Sequence, residues 1–194
     1  MIYKPLDFIK FKEFKTQWNS LANKNGLPGF YFVGQTLLNK EASAIRNIGF
    51  DGINHCHRLD TLYNSTLYLR IWRKIINGLK LFINIPFVIP YKLAIKDCVC
   101  NEDFMNDVFP TMMPNWDHTP RSTNGGSVLH GAKPELFKKH AKEILLTTVA
   151  KPDERKIVFL KSWNEWGEGN YMEPDLKYGK GYIYALKQAI NELQ

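Results

Sequence analysis

Four short segments of this chain are apolar almost without interruption: Phe30-Tyr31-Phe32-Val33, Phe50-Asp51-Gly52-Ile53-Asn54, Val108-Phe109-Pro110-Thr111-Met112-Met113 and Ile157-Val158-Phe159-Leu160. They lack the strict apolar/polar alternation of a strand with one wet face, and fit strands covered on both faces. Stretches of helical periodicity separate them. Residues 8–25 place Phe8, Phe11, Phe14, Trp18, Leu21 and Ala22 on one stripe, with Asp7 as the expected cap and Gly26 as the stop. Residues 40–47 closed by Gly49, 62–79, 133–150 with Pro134 in the first turn, and 182–193 also read as helices. The span 81–107 carries no clear signal, and 122–131 reads as a flexible loop. Strand alternating with helix builds βα units around a parallel sheet. The 194 residues read as one domain, 1–194, although a complete eightfold α/β barrel typically takes about 250. Met1-Ile2-Tyr3-Lys4-Pro5 reads as the end of a strand whose start is absent. The expected fold is therefore α/β, of the (β/α)8 TIM-barrel type, with this chain supplying the C-terminal half to two-thirds of the barrel.

In such barrels the loops after the strands build the active site. Two of them are rich in functional groups. After the strand at 157–160 come Trp163, Asn164, Glu165, Trp166, Gly167, Glu168 and Gly169, followed by Glu173 and Asp175. On a straight strand Glu165 and Glu168 would face opposite sides; the glycines allow a turn that brings both to one pocket. Paired carboxylates across a glycosidic bond serve as acid, base or nucleophile. Asn164 suits a sugar hydroxyl, and Trp163 or Trp166 a sugar ring. Exposed acids are usually mere surface, but the tryptophans, asparagine and glycines at a strand end favour function. The second loop holds Trp116, Asp117, His118, Thr119, Pro120 and Arg121. It offers a stacking ring, a carboxylate, an imidazole and a guanidinium, with an Asp117–Arg121 pair that merely holds the loop as the plain alternative. His55 and His57 also fall at a strand end and more often serve structure than ligand contact. Glu173 and Asp175 are expected to hold the loop or open the last helix.

The net charge of +7, from 26 basic and 19 acidic residues, admits nucleic acid or phosphorylated ligands as partners. The lysines are scattered, no nucleic-acid motif is present, and no nucleic acid is expected; contact with phosphorylated lipid-linked glycans is a minor use for that charge. Cys56, Cys98 and Cys100 form no disulfide or zinc pattern, which points to a reduced, cytoplasmic setting. No signal peptide or transmembrane segment is expected. No metal spacing and no glycine-rich phosphate loop is found, so no cofactor is expected.

The run Trp163-Asn164-Glu165-Trp166-Gly167-Glu168-Gly169-Asn170, with Glu173-Pro174-Asp175, resembles the signature of WbsX-like proteins, which carry a glycoside hydrolase family 99-like domain. Phe109-Pro110 through Arg121 and Gly26-Leu27-Pro28-Gly29-Phe30-Tyr31 are similar to that family as well. The resemblance implies a (β/α)8 barrel acting on the glycans of lipopolysaccharide O-antigen or capsule, related in fold to endo-acting α-mannosidases. It implies Glu165 as the base at the sugar's 2-hydroxyl and Glu168 as the acid at the leaving oxygen, in a retaining route through an anhydro-sugar. Trp116, Asp117, His118, Arg121, Asn164 and Trp166 would hold an oligosaccharide or lipid-linked glycan for cleavage or transfer. The family's N-terminal half is not in this sequence. A separate chain carrying that half, or a homo-oligomer, is one expectation; a non-catalytic sugar-binding remnant is the other.

Overall fold

The computed structural model describes residues 1–56, 86–96, 98–122 and 126–193, with helical backbone also at Ile71, Lys74, Ile75 and Gly78. The rest of the expected 62–79 helix, and His57, lie outside the described residues. In chain order the strands are β1 (Val33–Thr36), β2 (Gly52–His55), β3 (Phe87–Pro90), β4 (Val108–Met112), β5 (Ser127–His130), β6 (Phe159–Leu160), β7 (Asn164–Glu165) and β8 (Asn170–Tyr171). The helices are α1 (Phe11–Lys24), α2 (Ala42–Ile48), α3 (Tyr91–Ala94), α4 (Pro134–Leu146) and α5 (Gly181–Asn191).

The main sheet is parallel, in the order β1-β2-β4-β6, and Ile2 extends it by a parallel bridge to Gly34. With helices laid against it, this sheet is part of the wall of an α/β barrel. Register sorts its two faces. Ile53 and Val108 meet Phe11, Ala42, Ile45 and Phe50 from the helical layer, while Met112 meets Phe137, Ala141 and Ile144 of α4 and Tyr182, Ala185 and Ala189 of α5. On the opposite face Gln35, Asn54 and Thr111 form a polar row. Gln35 Nε2 donates to Asn54 Oδ1 (3.1 Å), and Asn54 Nδ2 donates to Thr111 Oγ1 (2.8 Å) and to the Phe109 carbonyl (3.0 Å). These bonds satisfy an asparagine that is wholly buried, whose amide would otherwise cost about 1–3 kcal/mol.

Several elements depart from the sequence reading. Asp7 does not cap α1: Pro5–Asp7 forms its own 3-10 turn, and α1 starts at Phe11 after Lys10. Proline fixes its own φ, and Pro5 starts the separate turn six residues before α1. The stripe of α1 is narrower than expected, since Trp18 and Leu21 are 43% and 53% exposed. The first strand is displaced to Val33–Thr36, because Phe30 and Phe32 turn onto α1. Phe30 packs on Trp18 (5.6 Å between centroids), and Phe32 on Phe11 and Phe14 (5.5 and 5.8 Å). The helix expected over 133–150 ends at Leu146, where Thr147 and Thr148 return their hydroxyls to the carbonyls of Ile144 and Leu145. Residues 127–130, expected as flexible loop, are the strand β5, paired in parallel with β3.

Candidate active site

Because β4 and β6 are neighbours, the loops leaving their C-terminal ends start side by side. The β4 loop is pinned from below. Tyr91 Oη donates to the Met113 carbonyl (2.7 Å), and the Met113 amide donates to His140 Nε2 (3.1 Å). β5 then runs beside it: His118 N donates to the Ser127 carbonyl (3.0 Å) and Leu129 N to the Trp116 carbonyl (2.8 Å). Asp117 Oδ1 accepts from the amide (2.9 Å) and hydroxyl (2.6 Å) of Thr119, closing an Asx turn that leads into the 3-10 turn Thr119–Arg121.

The β6 loop is a small hairpin. β7 and β8 pair antiparallel, the turn Trp166–Glu168 forms the tip, and Gly169 ends it in the left-handed region at φ 49°. Asn170, buried, holds its base by accepting from the Ser162 amide (2.9 Å). The two loops are joined through their backbones. Asp117 N donates to the Glu168 carbonyl (2.8 Å), and Tyr171 N donates to Asn115 Oδ1 (2.8 Å). Both glycines are needed for this approach, for different reasons. A Cβ on Gly169 would lie 2.8 Å from Asp117 Cβ, and one on Gly167 would lie 2.9 Å from the Arg121 guanidinium. Gly169 supplies the turn, and Gly167 supplies the room for Arg121.

This joining gathers four charged or titratable side chains. Arg121 Nη2 lies 3.1 Å from Glu165 Oε1, and Nη1 lies 3.6 Å from Glu168 Oε1. His118 Nε2 lies 3.6 Å from the same Glu168 oxygen. Glu168 is the more enclosed acid, its side chain 19% exposed against 37% for Glu165. The guanidinium itself is 54% exposed, and pairs this open add at most about 1 kcal/mol to stability. Their arrangement therefore bears on binding and chemistry more than on folding.

The other sequence candidates divide. Trp116 is 4% exposed, so it offers no ring to a sugar and serves as a foundation. Its Nε1 donates to Ser127 Oγ (3.2 Å), His118 stacks on it (5.8 Å, 13°), and Lys161 Nζ sits 5.2 Å from its ring. Asp117 holds the loop through Thr119, and the cation expected beside it, Arg121, reaches the two glutamates instead. Asn164 and Trp166 are exposed on the hairpin. Trp166 stacks on Tyr171 (3.8 Å, 13°) and donates from Nε1 to Glu173 Oε2 (2.6 Å). Glu173 and Asp175 hold the loop as expected, Asp175 Oδ1 accepting from the Lys177 amide (2.7 Å). Burial, with Asp175 beside it, raises the Tyr171 phenol above its ordinary value, so that ring stays neutral. His55 does not join the group: it is 1% exposed on the helical side of β2, with Nδ1 3.5 Å from Asp103 Oδ1. Asn115, Ser127, Asn170 and Tyr171 position the site and escaped the sequence reading. The Pro-Asn-Trp step at 114–116 and the Asn-Tyr step at 170–171 were the only signals for three of them.

The model of the family described as "Glycosyltransferase WbsX" matches residues 1–186. The chain belongs to the WbsX glycosyltransferase family. The uncharacterised protein WxcX of Xanthomonas campestris pv. campestris strain B100 is 27% identical over 122 residues, which is 52% of this chain and 18% of WxcX. Its counterpart in another strain of the same pathovar is 31% identical over 84 residues, 43% of this chain and 12% of that protein. These matches thus span less than a fifth of the length of those relatives. Among solved structures, a glycoside hydrolase-like protein superposes with a TM-score of 0.55 at 16% identity, covering 97% of this chain and 50% of its own. That likeness supports the barrel fold. A glycoside hydrolase family 99 endo-α-mannosidase of Bacteroides thetaiotaomicron superposes with a TM-score of 0.46 at 17% identity, over 83% of this chain and 46% of its own. In this member of the family, the clustered glutamates lie on the loop after β6, at the C-terminal end of the barrel wall.

Proposed function

We propose that this WbsX-family chain carries the acid/base pair of a glycan-active enzyme, with Glu165 and Glu168 at the reacting bond. The observation that supports this reading is the Arg121 guanidinium lying against both carboxylates at once, 3.1 and 3.6 Å away. A single cation offsets the repulsion of two acids that must share one small site. Glu165 takes the proton from the sugar's 2-hydroxyl, and that oxygen attacks C1. The C1–O bond to the leaving group breaks as Glu168 delivers its proton to the departing oxygen, leaving a 1,2-anhydro-sugar. Glu168, now a carboxylate, takes a proton from water or an acceptor hydroxyl, which attacks C1. The strained C1–O2 bond opens, and O2 recovers its proton from Glu165. Two inversions at C1 give net retention.

In this reading Trp166 and Asn164 meet the sugar, His118 and Arg121 hold the two carboxylates, and Trp116 and Asp117 support their loop. The substrate class is an oligosaccharide or lipid-linked glycan of the O-antigen or capsule type. Fluorogenic α- and β-glycosides, offered with and without sugar acceptors, test the reading, with the product anomer followed by proton NMR. Turnover with retained configuration supports it; an inverted first product contradicts it.

A further inference from the structure

A second cluster lies outside this site and independent of the glycan reading. His55 ends β2, and the 3-10 turn Asn101–Phe104 brings Cys100 and Asp103 to it from 45 and more residues away. One ligand atom from each of His55, Cys100 and Asp103 lies within 4.8 Å of the other two. His55 Nδ1 is 3.9 Å from Cys100 Sγ and 3.5 Å from Asp103 Oδ1. We propose that His55, Cys100 and Asp103 form a binding site for a divalent zinc-type ion.

Geometry carries the argument. Zinc takes bonds of about 2.3 Å to sulfur and about 2.0–2.2 Å to nitrogen and oxygen. Donors held tetrahedrally at those lengths lie roughly 3.3–3.7 Å apart. The His55–Asp103 pair already has that spacing, His55 and Cys100 need a few tenths of an ångström, and Cys100 and Asp103, within 4.8 Å of each other, close by at most about 1 Å to seat the ion. The donor set is mixed imidazole, thiolate and carboxylate, which favours zinc over the hard, oxygen-seeking magnesium and calcium. Charge closes as well: a thiolate and a carboxylate neutralise a divalent ion where His55 and Asp103 are 1% and 0% exposed, a place where unbalanced charge is costly. Asp103 is already oriented, because its Oδ2 accepts from the Cys100 amide at 2.9 Å. That hydrogen bond supports the ligand from behind, as outer contacts of metal sites do. A water, which adds no charge, completes the fourth position. Cys98, Val99 and Cys100 are only partly buried, which gives the ion a way in. The ion would tie the end of β2 to the segment preceding β4.

The test uses the untagged chain stripped with chelator and titrated with Zn2+ and Co2+. Expected are about one Zn2+ per chain, a near-ultraviolet sulfur-to-cobalt charge-transfer band with tetrahedral visible bands, and protection of Cys100 from iodoacetamide by Zn2+. In Cys100→Ser the charge-transfer band is lost and affinity falls at least about tenfold. Mass mapping of alkylated Cys100 in the unsubstituted chain keeps the test valid if that variant does not fold. Equal alkylation of Cys100 with and without Zn2+, or a cobalt spectrum lacking the thiolate band, overturns the proposal.

Discussion

Gly167 and Gly169 separate two things a glycine can do. A valine at Gly169 would force a β-branched residue into the left-handed region and against Asp117. The conformation alone costs about 1–2 kcal/mol, so Gly169→Val is expected to lower the melting temperature by roughly 2–8 °C in a thermal scan. The three atoms nearest a Cβ at Gly167 all belong to the Arg121 guanidinium, the far end of a flexible side chain that can swing away. Gly167→Val is therefore expected to keep the melting temperature within about 2 °C while turnover drops about 10-fold or more, as Arg121 leaves the carboxylates. An unchanged rate in Gly167→Val would show that Arg121 does not matter to the chemistry. The sequence marked Glu165, Glu168, His118 and Arg121 as candidates, since their types and their strand-end positions are local facts. It misassigned Trp116, because whether a tryptophan faces water or Ser127 depends on β5, a strand paired with residues some forty positions earlier.

Individual elements follow the same division between local and distant causes. The strands β2 and β4 were legible because both faces are covered and apolar residues run through their segments, with Asn54, His55 and Thr111 as the interruptions. β5 was not: Ser127 and His130 flank only two apolar residues, and its strand character comes from pairing with β3. The start of α1 was misread because Pro5 opens a separate turn that no periodicity reveals. What α1 buries is clearer. Phe11 stacks on Phe50 at 3.8 Å and 4°, with no exposed surface, so Phe11→Ala is expected to cost about 3–5 kcal/mol in denaturant unfolding. α4 and α5 are latched at the surface by Lys138 and Lys142, which both reach Glu192 (2.5 and 2.9 Å). Their hydrogen bonds pull the Glu192 carboxyl from its ordinary 4.5 down to about 2. A depressed acid contributes stability that is fully present above its unfolded value and lost as pH falls through the folded one. The stability difference between the natural chain and Glu192→Gln should thus be constant above about pH 5 and vanish toward about pH 2. A difference that persists unchanged at pH 2 would dissolve the latch.

The described residues form a parallel barrel wall whose C-terminal end carries the acids and whose two larger hydrophobic clusters lie between sheet and helices. No helix among the described residues is long and apolar enough to cross a membrane. The wall's architecture was readable from alternating strand and helix signals, whereas the meeting of the two loops was not, since it rests on the Asp117–Glu168 and Asn115–Tyr171 hydrogen bonds across some fifty residues. Everything proposed for the site depends on Glu165 and Glu168 having separate tasks at one sugar. Values of kcat/KM, which report only the steps up to departure of the leaving group, on glycosyl fluorides and on matched methylumbelliferyl glycosides decide this. Fluoride leaves with little help from an acid, so Glu168→Gln should lose about 10²- to 10⁴-fold on the methylumbelliferyl glycoside and far less on the fluoride. Glu165→Gln should lose comparably on both, because the 2-hydroxyl must be deprotonated in either case. An undiminished kcat/KM in Glu168→Gln on the methylumbelliferyl glycoside would contradict the account.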